Sequence, residues 1–143
     1  MTAKGDLIVE LEQLFYEINQ IVRSEKHKCL KDGISWSQIW VLKQLEFKKQ
    51  KISDLADHMG VSVPAITGLS DKLIAQGLAE RIRSEQDRRI VFLFITEKGN
   101  TLLQEIRKER QTLMKIYFAG LPDEDLEHLV LIYRKIRKNM QAK

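Results

Sequence analysis

"ISDLADHMGVSVPAITGLSDKLIAQG", residues 52–77, reads as two short helical patterns with Gly60 and Val61 between them, and it decides the fold. The first helix starts at Ser53 and stops at Gly60, a residue free to take the left-handed conformation that a helix C-terminus favours. The second is capped by Ser62, carries Pro64 in its first turn, where a missing N–H costs nothing, and ends at Gly77. Val61 and Ile66 stand at hydrophobic-staple spacing, and Ile66, Leu69, Leu73 and Ile74 make one apolar face. Two helices joined by so short a turn cross closely only if the first is small at the crossing, which Ala56 provides. Ile66 then faces back as the apolar anchor. This is the spacing of a helix–turn–helix whose second helix presents its N-terminal residues to base edges in the major groove. An ordinary helical corner has the same spacing and is the competing reading.

Working outward, Ala79 to Arg83 and Ile90 to Ile95 read as two short strands around a polar turn. The stretch "RSEQDRRIVFLFITEKG", residues 83–99, is charged at five of its first seven positions and then apolar for six in a row. A hairpin placed directly after a recognition helix is a wing. Its apolar stem packs on the helices, while the tip from Arg83 to Arg89 stays in water or meets DNA. Asp87 and Arg89 are two residues apart, so in an extended tip they share a face and can pair. A narrow minor groove concentrates negative potential, and an inserted arginine is a usual way to exploit it. The alternative is a solvated hairpin whose surface ion pair contributes little.

On the N-terminal side, Leu7, Leu11, Leu14, Phe15, Ile18, Ile21 and Val22 predict an amphipathic helix from about Asp6 to Lys28. The next helix runs from Trp36 to about Phe47, with Ser35 and Gln38 as a capping box and Ile34 and Ile39 as a staple. The "KKQK" that follows, residues 48–51, reads as a solvated loop. After the wing, Thr96 caps a helix carrying Leu102, Leu103, Ile106, Leu113, Ile116 and Tyr117 to about Ala119. Pro122 and the acidic residues after it open a last helix, Asp123 to about Met140. The fold class is therefore mainly α with a small β-hairpin, a winged helix–turn–helix between flanking helices. The flanking helices hold more apolar surface than a small winged domain covers, and a monomeric helical cap is one way to bury it.

With 143 residues and 43% hydrophobic content, the chain has the size and composition of one folded domain. Its longest apolar run is too short to cross a bilayer and the N-terminus lacks a signal-peptide core, so a cytoplasmic protein is expected. A formal net charge of +4 permits a nucleic-acid partner without requiring one. No phosphate-cradling glycine loop or nucleophile elbow supports an enzyme, and no cofactor is expected.

The succession from Ile52 to Gly99 resembles the winged helix of the MarR (multiple antibiotic resistance regulator) family. The Asp87-Arg88-Arg89 tip and the "ITEKG" of residues 95–99 match its most specific signature, and the likeness extends over nearly the whole chain. It implies a single MarR-type domain over residues 1–143. A DNA-binding lobe would span 34–97, and a dimerisation lobe 6–30 and 98–141. It further implies a homodimeric regulator, usually a repressor, that binds double-stranded DNA at a pseudo-palindromic operator and often releases it on binding a small aromatic or lipophilic effector. Matched residue by residue, Arg89 enters the minor groove, oriented by Asp87 and beside Arg88. Ser62, Val63, Pro64, Ala65 and Thr67 face the major groove. Gly68 departs from the many relatives that carry a polar or basic residue there, which puts base readout from that position in doubt. Lys72, one turn on, is a phosphate contact or a solvated lysine.

Tyr16 and Asn19 on the first helix and Trp36 and Trp40 on the second lie near where relatives form an effector cleft. A Trp pair at this spacing also serves as core. Cys29 invites a redox-responsive reading, but its place at the end of the first helix differs from that of peroxide-sensing relatives, and an inert thiol is the simpler expectation. His27, His58 and His128 are scattered singly, so no metal site is expected. The reading of a different class is a winged-helix protein-interaction module without DNA binding.

Overall fold

A computed structural model describes residues 3–29 and 33–142, with the side chains of 26–29 outside the description. The redox reading of Cys29 and the side chain of His27 therefore lie outside the described residues. The chain divides into two compact units, residues 1–107 and 108–143, with one helix contributing to both.

In the first unit, α1 spans Ala3–Cys29 and α2 spans Trp36–Gln44. The capping box is present in both directions: the Ser35 hydroxyl accepts the Gln38 N–H at 3.2 Å, and the Gln38 side chain accepts the Ser35 N–H at 2.7 Å. The helix stops three residues before the expected end. Leu45 turns into the core as the C-cap, its N–H bonding back to Val41 and Leu42, while Phe47 is left in solvent. The apolar period had simply run on past the last helical hydrogen bond.

The expected "KKQK" loop is corrected. Gln50–Lys51 form β1, paired antiparallel with β3 (Val91–Ile95) in the register Gln50↔Leu93 and Lys51↔Phe92. Backbone pairing at an edge needs no apolar side chain, so the polar run concealed a strand. With β2 (Ala79–Arg83) the sheet has three strands in the order β1-β3-β2, Ala79 opposite Ile95 and Arg83 opposite Val91. Alternation explains the apolar run of β3. Leu93 is fully buried, with Val91 and Ile95 packed on the same core. Phe92 points the other way, and the Lys49 ammonium sits 4.4 Å from its ring centroid.

Between β1 and β2 lie α3 (Ile52–Met59), which starts one residue before the expected Ser53, and α4 (Val63–Ala75). After the sheet comes α5 (Glu97–Tyr117), capped by the Thr96 hydroxyl, which accepts the Gly99 N–H at 3.1 Å. Ile39, Leu42, Leu55, Ile66, Leu73 and Leu103 form the heart of one core that joins α2, α3, α4 and the start of α5. By contrast, the apolar side chains of α1 from Leu7 to Ile21 are exposed.

In the second unit, α6 (Asp123–Gln141) begins after Pro122 with Asp123, Glu124 and Asp125 in its first turn. It buries no residue, and Val130, Leu131, Tyr133 and Ile136 are about half exposed. Among the described residues no helix is long and apolar enough to cross a membrane.

Candidate nucleic-acid interface

The turn between α3 and α4 is built as its residues require. Gly60 takes φ 73° and ψ 32°, and the Val61 N–H returns to the Ala56 carbonyl at 3.0 Å, closing the C-terminus of α3. Ala56 is 1% exposed, so a larger residue there would push the two helices apart. Ser62 caps α4 by accepting the Ala65 N–H at 3.3 Å. Leu73 and Ile66 fix the inner face of α4, helped by Ser70, whose hydroxyl donates to the Ile66 carbonyl at 2.7 Å.

That packing leaves Ser62, Val63, Pro64 and Ala65 exposed at the N-terminal end of α4, with Lys72 exposed two turns on. Thr67 is half-buried, and its hydroxyl donates to the Val63 carbonyl at 3.0 Å. The arrangement suits an elongated polyanion: the positive end of the helix dipole and a lysine on one exposed face.

The wing tip is ordered by its own hydrogen bonds. The Ser84 N–H donates to the Ile90 carbonyl at 2.9 Å, and the Ile90 N–H to the Asp87 carbonyl at 3.0 Å. The Arg83 guanidinium donates to the Arg88 carbonyl at 2.8 Å. Asp87 receives Arg89 as a fork, Nε at 3.1 Å and Nη2 at 3.3 Å, together with the Arg89 backbone N–H at 3.0 Å. The Arg89 side-chain hydrogen bonds, and then its N–H, hold the Asp87 carboxyl below the usual carboxylate range. The Arg89 side chain is nevertheless 91% exposed. Asp87 thus sets the direction of a cation that remains available to an outside anion.

Several parts of this framework have no local sequence signal. Asp71 on α4 and Arg81 on β2 pair at 2.6 Å across the Gly77 turn. The "ITEKG" segment ties the end of α4 to the start of α5: the Thr96 hydroxyl donates to the Gly77 carbonyl at 2.6 Å and Lys98 Nζ to the Gln76 carbonyl at 2.8 Å. A Cβ on Gly99 would overlap the Leu78 carbonyl oxygen and come within 2.6 Å of Ile95 Cγ1, so this contact is open only to glycine. Gln76 in turn accepts from the Gln38 amide at 3.1 Å and donates to the Gly33 carbonyl at 2.8 Å. Together these bonds tie α4 and the turn after it to β2, to the start of α5, to α2 and to Gly33.

The four residues expected around an effector are placed as follows. Trp36 and Trp40 are half-buried against the core. Tyr16 and Asn19 are exposed on α1, the Tyr16 hydroxyl accepting from Gln20 and the Asn19 amide donating to the Phe15 carbonyl. A cavity of about 330 Å³ lies between Ile34, Gln76, Leu78, Lys98, Thr101 and Glu105, and none of the four lines it. Among the described residues no group of three His, Cys, Asp or Glu side chains is gathered as a metal would require.

Comparison with known proteins agrees with this geometry. The MarR family model matches residues 34–91. The chain is 27% identical to the HTH-type transcriptional regulator YpoP of Bacillus subtilis strain 168, over 96% of this chain and 99% of that one. It is equally 27% identical to the HTH-type transcriptional repressor MdtR of the same organism, over 92% of this chain and 84% of that one. The fold superposes with a TM-score of 0.84 on a MarR family protein from Bacillus stearothermophilus, at 24% identity and over 99% of both chains.

Proposed function

The chain belongs to the MarR family of winged-helix transcription regulators, and from that premise we propose how it engages DNA and what releases it. A homodimer binds a pseudo-palindromic duplex, each α4 entering the major groove through Ser62, Val63, Pro64, Ala65 and Thr67. Arg89, aimed by Asp87 and flanked by Arg88, enters the adjoining minor groove, and Lys72 meets a phosphate. The observation that carries this reading is the Arg89 fork: a side chain 91% exposed yet held in one direction by two carboxylate oxygens. An arginine fixed in this way loses less freedom on entering a groove than a free one.

The second copy follows from the apolar surface. Residues such as Leu11, Phe15 and Ile18 on α1 are more than half exposed in one chain. Surface of this extent marks an interaction site, and a two-fold partner made of the same helices is self-complementary by symmetry. The lobes proposed for these roles are 34–97 for DNA and 6–30 with 98–141 for the dimer. Acting on DNA, the protein works in the cytoplasm.

Repression, as the description of MdtR states for that relative, is the regulatory sense proposed here. Release follows if a small aromatic or lipophilic effector near Tyr16, Asn19, Trp36 and Trp40 binds the DNA-incompatible arrangement more tightly than the compatible one. The test is a duplex selected from a random pool by the full chain, with stoichiometry from sedimentation. Two chains per duplex on a sequence with two-fold symmetry is the expected result, and enrichment of no duplex refutes the proposal. Salicylate then probes release. It is expected to quench tryptophan fluorescence and weaken the complex together, and quenching with unchanged affinity would refute the coupling.

A further inference from the structure

Gly68 occupies the middle of the exposed face of α4, and nothing inside the chain explains its presence. Steps of 100° per residue put it opposite the buried Ile66, Ser70 and Leu73, with Pro64 and Lys72 one turn to either side. Gly60 and Gly77 have positive φ, and Gly99 faces a backbone carbonyl. Gly68 has neither reason: its backbone is ordinary helix, and a Cβ built on it would meet no atom within 4 Å. Since glycine is unfavourable at an exposed helical position, folding alone would favour another residue here.

The neighbouring side chains show what this bare surface is suited to. Val63, Pro64 and Ala65 are exposed and apolar. The Thr67 hydroxyl donates its proton to the Val63 carbonyl, the Asp71 carboxylate is engaged by Arg81, and the Ser62 O–H and the Lys72 ammonium stand at the two ends of the exposed face, so that Pro64, Ala65 and Gly68 between them offer no side-chain polar group. An apolar face pressed on the polar groups of a base edge removes their water and returns no hydrogen bond. The one major-groove feature it matches is the thymine 5-methyl group.

We infer that α4 reads its half-site chiefly through thymine 5-methyl groups, and that Gly68 is bare so that the helix backbone can lie close against the base edges. The inference rests on the proposed role of α4 as the DNA-reading helix and names what that helix recognises. A glycine that lets backbone approach a ligand is a known use of the residue, and here the ligand is the floor of the groove.

The test uses the full-length protein and the duplex it selects. Each thymine is replaced in turn by deoxyuridine, which deletes only the methyl and leaves pairing and the minor-groove edge of the wing site unchanged. One or two positions in each half-site are expected to lose roughly fourfold in affinity, the size of one buried methyl. Gly68→Ala, which fills open space, is expected to keep the fold and lose at least tenfold on the same duplex. A selected duplex that binds equally well with uracil at every position overturns the methyl reading, and a Gly68→Ala protein that binds as tightly as wild type overturns the close approach. Failure to select any duplex is a separate result: it refutes DNA binding itself and this inference with it.

Discussion

The same substitution at two helical glycines is expected to have opposite effects on stability. At Gly99, an added Cβ overlaps the Leu78 carbonyl oxygen and lies 2.6 Å from Ile95 Cγ1. Ile95 can rotate, but the Leu78 oxygen belongs to the backbone and already accepts the Thr96 N–H at 3.1 Å, so relief must stretch that bond. Overpacking of this kind costs about 1–3 kcal/mol and the weakened hydrogen bond about 1 kcal/mol more. Replacing glycine by alanine within a helix returns about 1 kcal/mol. Gly99→Ala should therefore destabilise by about 1–3 kcal/mol. At Gly68, where nothing lies within 4 Å, only the helix term operates, and Gly68→Ala should stabilise by roughly 0.5–1 kcal/mol. Urea unfolding of both variants at one fixed chain concentration reads the difference as opposite shifts in midpoint with unaltered slope. A Gly99→Ala midpoint at or above that of wild type would refute the steric account of the α4–α5 joint.

Arg89→Ala should weaken specific binding by roughly 1–3 kcal/mol per half-site and leave the melting temperature nearly unchanged; unchanged affinity with a lower melting temperature would make Arg89 structural. Because the folded Asp87 carboxyl lies below its ordinary range, the Arg89 fork is fully present at neutral pH and is lost only as pH falls through that depressed value. An NMR titration should find the Asp87 midpoint raised in Arg89→Ala, and an equal midpoint in both proteins would contradict the assignment. Ser62→Ala removes the α4 cap and should cost about 0.5–2 kcal/mol of stability, read in the same urea assay.

Much of the winged helix is legible in the sequence because its signals are local. Ser35 with Gln38, Ala56 with Gly60, and Ser62 with Pro64 each act within a few residues, and the structure makes the bonds that these spacings imply. The misread segment, Gln50–Lys51, is held by backbone pairing to a strand more than forty positions away, which no side-chain pattern advertises. Separation along the chain likewise hides the Gln38–Gln76–Gly33 chain, and the Asp71–Arg81 pair, though only ten residues apart, meets only once the Gly77 turn has brought β2 back beside α4. Gly99 was visible as part of a motif, but its reason was not: the obstacle is the carbonyl of Leu78, and a carbonyl leaves no mark on sequence. The surroundings proposed for an effector stayed the least legible, since half-buried tryptophans serve core and pocket alike.

The central claim, that the proposed dimer binds duplex DNA, is tested most directly by the salt dependence of binding. Each neutralised phosphate contributes about 0.9 to the slope of log affinity against log salt, so a dimer making about eight contacts should give a slope near −7. Fluorescence anisotropy with the selected duplex between low and physiological salt measures it. A slope near −7 that becomes shallower in Lys72→Ala is the predicted result, and a slope near zero would contradict the account.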